Sequence, residues 1–323
     1  MICEVNLINI YLEYRDLSMR SLDLSVDIAG LSLKTPLILA SGILGLSGRL
    51  LAKISRAEGV GAVTTKSIGL KPRDGYPNPT IILLPYGLIN SMGLPNPGAE
   101  AFLKELDEAE DLSSPLIASF YGYSVDEIVE TARIIAKHPR VSALELNVSC
   151  PHVSGVYELG FKPELVAEAV SKVKKIIDKP LFVKLSPNTH LIVDVARAAA
   201  EAGADGLTAI NTVKALAIDT ELFRPILSGV YGGLSGPALK PIALRCVYEI
   251  YKEVDIPIVG CGGVSNSLDV VEFILAGASA VALGSVIAFK GVGVFRELAE
   301  GLSSYLERKG FRSVREIVGL SHR

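Results

Sequence analysis

Residues Pro180–Asn211 read PLFVKLSPNTHLIVDVARAAAEAGADGLTAIN. An apolar run, PLFVKLS, ends in polar residues; an amphipathic stretch over 190–202 follows, and a second apolar run, ADGLTAI, starts just after Gly203. Two runs of strand length separated by a helical stretch describe a strand–helix–strand unit, in which the helix carries the chain back so that the strands lie parallel. Apolarity is continuous rather than alternating in both runs, so both faces of each strand are covered.

Read outward from this unit, the same rhythm recurs. Strands are predicted at PLILAS from Pro36, GAVTTK from Gly61, PLIASF from Pro115, SALELNV from Ser142, PIVGCG from Pro257 and AVALG from Ala280, which with the opening pair makes eight. Helices are predicted near 49–58, 97–110, 124–138, 163–178, 190–202, 237–254, 265–276 and 292–309, with start signals at Ser124 before VDEI and at Pro163 before Glu164. Eight βα units in one chain favour an α/β fold of the (β/α)8 TIM barrel type with insertions on the C-terminal face of the strands; an open, doubly wound sheet is the alternative. Residues 1–18 precede Met19 without periodicity and read as an extension, leaving 19–323 as a single barrel domain.

Composition narrows the function classes. The 323 residues are 49% hydrophobic and 21% charged, enough for a large core, and a net charge of −3 without basic clusters gives no nucleic-acid footprint. Gly75 to Ala99 is uncharged but holds five prolines and reads as a loop region; Phe273 to Phe289 reads as helix end, strand and turn, short of the roughly 20 residues that span a membrane. No basic segment leads into an apolar signal core, so no secretory signal is expected. Cys3, Cys150, Cys246 and Cys261 are widely spaced, with no pattern for zinc or an iron–sulfur cluster, and fit a reducing, cytoplasmic setting.

A barrel places its chemistry at the C-terminal ends of its strands. Here those ends carry Ser41-Gly42, Lys66-Ser67, Asn147 to Cys150, Lys184 to Ser186, Asn211-Thr212, Gly262-Gly263 and Gly284-Ser285. The long insertions after strands two, four and six would be walls and a lid. Lys66 and Lys184 would face each other across the mouth, where a lysine meets an anion or an electron-rich ring; the plainer reading is an ion pair with a loop carboxylate. GCGGVSN and ALGSVI, after strands seven and eight, expose backbone N–H groups where barrels bind phosphate. Cys261 reads as a packing residue. Asn90, Asn147 and Asn211 can donate and accept at once, as a ligand with ring C=O and N–H groups requires. Asn96 and Asn266 read as turn residues.

From Leu24 to Gly310 the sequence resembles class 1 dihydroorotate dehydrogenases, through TPLILASG, TKSIGLKPRDGYPNP, NSMGLPNPG, LELNVSCP, VKLSPN, GADGLTAINTVKALAID, GGLSGPALKPIALR, PIVGCGGV and ILAGASAVALGS. LKPRDGYPNPTI and AIDTELFRPILSGVYGGLSGPALKP resemble the B-type catalytic subunit in particular. The resemblance implies an FMN enzyme of pyrimidine biosynthesis in which Cys150 is the base that takes a proton from C5 of dihydroorotate while hydride passes from C6 to the flavin. It implies a flap running to about Phe161, with Gly155 and Gly160 as its flexible points. It places Lys184 near N1 and O2 of the flavin ring and Lys66 between flavin and substrate. It also assigns orotate to Asn90, Asn147, Asn211 and Thr212, with the backbone of Met92, Gly93 and Leu94 on its carboxylate. Ser41, Gly42, Lys66, Ser67, Asn147, Ile210 and Gly236 match further flavin contacts, and Gly262, Gly263, Gly284 and Ser285 match its phosphate site.

One position departs from the family. His152 stands where the family has asparagine, as it does in the related dihydropyrimidine dehydrogenases, so reduction of uracil or thymine is the alternative activity. A barrel that binds FMN or phosphate without turnover is the non-enzymatic alternative. The chain has no cluster motif and no GxGxxG after a strand, so electrons bound for NAD would leave through a partner subunit carrying FAD and a 2Fe-2S centre, in a heterotetramer; a homodimer of barrels is compatible with the same reading.

Overall fold

Each of the eight apolar runs forms a strand, and together they close into a parallel barrel. The computed structural model describes residues 22–109, 111–148 and 159–323. A hairpin of β1 (Val26–Ile28) and β2 (Leu31–Leu33) comes first, with alternate residues buried. Strands β3 (Leu37–Leu39) and β4 (Ala62–Thr64) follow, then a second hairpin of β5 (Ile81–Leu84) and β6 (Gly87–Asn90), then β7 (Leu116–Phe120), β8 (Val141–Asn147), β9 (Leu181–Lys184) and β10 (Gly206–Ala209). Four short strands, β11 (Val213–Ala215), β12 (Ile218–Asp219), β13 (Arg224–Pro225) and β14 (Gly232–Ser235), separate these from β15 (Ile258–Cys261) and β16 (Ala280–Leu283). The barrel order is β3-β4-β7-β8-β9-β10-β15-β16, closed by the pairing of β16 with β3.

The outer layer consists of α1 (Gly48–Ser55), α2 (Ala99–Asp107), α3 (Val125–Ala136), α4 (Pro163–Lys174), α5 (Ile192–Glu201), α6 (Lys240–Tyr251), α7 (Ser267–Leu275), α8 (Val286–Lys290) and α9 (Val294–Lys309). In α5, Ile192, Val195, Ala196 and Ala199 are buried, the spacing of a single apolar face turned to the barrel. Ser124 caps α3 by accepting from Glu127 N, and Pro163 sits in the first turn of α4, as the sequence signals indicate. No described helix is long and apolar enough to cross a membrane.

The region expected to be a plain loop is only partly one. Ile81–Leu84 and Gly87–Asn90 pair antiparallel across Pro85-Tyr86, and β6 pairs with β14 to build a four-stranded sheet, β11-β14-β6-β5. The five prolines flank the two strands or occupy the turn between them, so no ladder bond is lost. This sheet joins the insertions after β4 and β10 and stands over the barrel mouth. Ser149 to Glu158, which include Cys150, His152 and Gly155, lie outside the described residues.

Alternate residues of the barrel strands point inward. Ile38, Thr64, Ile117, Phe182 and Val259 pack there, but so do Glu145, Thr208 and Lys184, and they leave a space of about 10 Å³, enough for one water molecule. The barrel interior is therefore an apolar core with a small polar centre directly beneath the mouth.

Candidate active site

Lysine at the last position of β9 has little access to water: Lys184 is 5% exposed. Burial pulls its pKa down, yet the Glu145 carboxylate across the interior outweighs that and holds it above the ordinary lysine value. Glu145 is also buried; its Oε2 accepts from Thr208 Oγ1 at 2.9 Å, and its Oε1 has no hydrogen-bond partner among the described residues. The result is a fixed cation on the floor of the mouth. Beside it burial pushes the Cys261 thiol pKa up, so at neutral pH this cysteine is an uncharged wall residue, as the sequence suggests.

Above this floor is a cavity of about 290 Å³ between the strand ends and the roof sheet. It gathers residues that are far apart in sequence. Ser41 and Gly42 follow β3; Lys66 and Ser67 follow β4; Asn147 ends β8; Ile210, Asn211 and Thr212 follow β10. Asn90, Met92, Gly93 and Leu94 enter from the roof, and Gly262, Gly263, Gly284 and Ser285 close the side formed by β15 and β16. Both predicted lysines line this cavity, from strands three places apart around the barrel.

The polar side chains form a continuous hydrogen-bonded line. Ser41 Oγ lies 3.3 Å from Ser67 Oγ, which lies 2.9 Å from Ser119 Oγ. Asn147 Nδ2 donates to Ser67 Oγ at 3.0 Å, Asn211 Nδ2 approaches Asn147 Oδ1 at 3.4 Å, and Thr212 N donates to Asn211 Oδ1 at 2.8 Å. Asn90 Nδ2 donates to the Gly233 carbonyl at 3.3 Å, which ties the roof asparagine to β14. Each amide is thereby oriented before any ligand arrives, which lowers the entropic cost of binding.

The glycines have a spatial reason. Gly262 and Gly263 have φ of 136° and 78°, and a Cβ on Gly263 would run into the backbone of Lys240. Gly42 has φ of 94° with open space around its Cα, and a Cβ on Gly284 would meet only the Ala40 methyl, at 3.8 Å. These bare backbones leave a cradle that the phosphate and flat ring of a flavin could approach closely.

Gly236 does not line the cavity; its φ of 102° serves a close approach to Gly87 where β14 meets β6, and it is Ser235 that faces the cavity. Asn96 and Asn266 serve turns through their side chains: Asn96 Oδ1 accepts from Gly98 N and Asn266 Oδ1 from Leu268 N, each two residues on, with neither backbone left-handed. Ser119 and Thr208, which brace Ser67 and Glu145, escape a reading of strand ends. Their signal is a hydroxyl inside an otherwise apolar strand.

The profile of the family described as dihydroorotate dehydrogenase matches residues 23–306. "Dihydroorotate dehydrogenase B (NAD(+)), catalytic subunit" of Pyrococcus abyssi is 52% identical over 299 residues, covering 92% of this chain and 99% of that protein. The protein of the same name in Methanosarcina mazei is 46% identical over 298 residues, covering 91% and 94%. Among solved structures, a dihydroorotate dehydrogenase of Eimeria tenella in complex with ferulenol superposes with a TM-score of 0.80 at 25% identity, covering 100% of this chain and 97% of that one.

Proposed function

The chain belongs to the dihydroorotate dehydrogenase family, and from that premise we propose that it oxidises dihydroorotate to orotate in pyrimidine biosynthesis, with FMN held in the barrel mouth. The observation that carries the reading is the joined line of Ser67, Asn147, Asn211 and Thr212, facing Lys66 and the Met92–Leu94 backbone within one cavity. Gly262, Gly263, Gly284 and Ser285 would hold the phosphate, and Lys184 would sit against the ring. When bound, FMN supplies the acceptor for the hydride that leaves C6 of the substrate.

The chain's own residues supply the rest. Cys150, as thiolate, takes the proton from C5. Asn90, Asn147 and Asn211 pair with ring C=O and N–H groups and fix which face of the ring is presented. Lys184, held cationic by Glu145, stabilises negative charge that reduction places beside it. Residues 19–323 act as one domain in this reading. Its curated relatives are named as NAD(+)-linked catalytic subunits, so electrons leave toward NAD through a cytoplasmic partner subunit bearing FAD and a 2Fe-2S centre. His152 is the one sequence feature that favours an uncarboxylated pyrimidine.

The test is Cys150→Ser. Serine keeps the shape but is a far weaker acid, so the variant should keep FMN and its colour while reduction by dihydroorotate at neutral pH slows by roughly 10²- to 10⁴-fold and recovers as pH rises. An unchanged rate would remove Cys150 from the proton step.

A further inference from the structure

The turn Met92-Gly93-Leu94 passes through two consecutive positive φ values, 73° at Gly93 and 57° at Leu94. For a leucine that backbone persists only when its surroundings impose it. Every carbonyl of the turn is pinned. Met92 O accepts from Tyr76 N at 3.0 Å, Gly93 O from Arg73 Nε at 2.6 Å, and Leu94 O from Asn96 Nδ2 at 2.9 Å. None of the three partners lines the mouth cavity; Arg73 faces a separate groove on the outside of the barrel.

In a trans peptide the C=O and the following N–H point in opposite directions. Holding the Met92 and Gly93 carbonyls toward the outside therefore turns the Gly93 and Leu94 amides toward the cavity that these residues line, and neither amide donates to a described residue. Successive amides in such a turn form an anion-binding concavity. The cationic guanidinium on the Gly93 carbonyl also polarises that peptide, which makes the Leu94 N–H a stronger donor.

The two side chains are themselves locked. Arg73 and Asn96 exchange backbone hydrogen bonds at 2.8 and 2.9 Å, and Arg73 Nη1 donates to Tyr123 Oη at 3.0 Å. Asn96 is 6% exposed; its Oδ1 accepts from Gly69 N and Gly98 N, and its Nδ2 donates to Tyr121 Oη as well as to Leu94 O. An amide fully used in this way tolerates no other side chain of its size.

We infer that Arg73 and Asn96 are positioning residues that hold the Gly93 and Leu94 amides as a preformed site for the substrate carboxylate, an inference that rests on reading the mouth as a site for a carboxylated pyrimidine. Neither side chain touches the substrate; both act through the backbone they pin.

The test compares orotate with uracil, which keeps the ring and lacks the carboxylate, by calorimetric titration of the FMN-loaded protein. Arg73→Gln and Asn96→Asp should each raise the Kd for orotate by about tenfold or more while the Kd for uracil stays within about twofold and flavin content is unchanged. Arg73→Lys, which keeps the charge but loses the planar fork, guards against a variant that fails to fold and should still weaken orotate selectively. Equal weakening of both ligands, or no weakening of either, overturns the positioning role while leaving the substrate reading intact. A wild-type protein that binds orotate no more tightly than uracil overturns the substrate reading, and the inference with it.

Discussion

A cation buried in a barrel interior persists only where something nearby keeps it charged, and at Lys184 that is Glu145. The folded pKa of Lys184 lies above its unfolded value of 10.5, so its contribution to stability is complete below that value and is lost as pH rises through the higher folded one. Glu145→Gln leaves the ammonium buried without a counter-charge. That change should destabilise the protein at neutral pH by on the order of 3 kcal/mol and remove the part of the alkaline fall in stability that Lys184 contributes, which unfolding followed from about pH 9 to about pH 12 would record. A variant that is as stable as wild type with the same alkaline limb would mean that the two groups do not communicate.

At the scale of elements, the loop after β15 is set by the start of α7. Asn266 and Asp269 form a capping box, and Asp269 also accepts from Ser265 N and from Lys240 Nζ, the latter at 2.6 Å. Burial pushes the Asp269 carboxyl up, but the bonds from Lys240, Ser265 and Asn266 outweigh it and hold its pKa below the usual value. A depressed carboxylate contributes stability above its unfolded pKa of 3.8 and loses it as pH falls through the lower folded value. Asp269→Asn should therefore cost roughly 1–2 kcal/mol at neutral pH and flatten the acid limb of the unfolding midpoint, while weakening flavin retention because Gly262 and Gly263 lose their support. Retained flavin with a lowered midpoint would separate the cap from the cradle.

How much of this was legible in the sequence depends on what fixes each element. The barrel strands and their helices were legible because burial on both faces, or on one helical face, imposes a period. The roof sheet was not: β5 is exposed or half-buried along its length, and its neighbouring prolines resemble a loop. Lys66, Lys184, Asn147 and Asn211 could be found because they sit at strand ends. Asn96 and Arg73 could not, because their part depends on which carbonyls they pin, and only the tertiary arrangement decides that.

For the molecule as a whole, closing the barrel brings eight strand ends to one rim, and the sheet built from two insertions roofs it. Chemistry and access are thus separated: the floor holds charge and shape, while the roof contributes Asn90 and the Met92–Leu94 amides. What decides the function of this mouth is whether it oxidises a carboxylated dihydropyrimidine. The direct measurement is anaerobic titration of the purified yellow protein with dihydroorotate and, separately, with dihydrouracil, following flavin absorbance. Dihydroorotate should bleach the flavin stoichiometrically and dihydrouracil should bleach it little; bleaching by dihydrouracil alone, or by neither, would rule out dihydroorotate oxidation at this mouth.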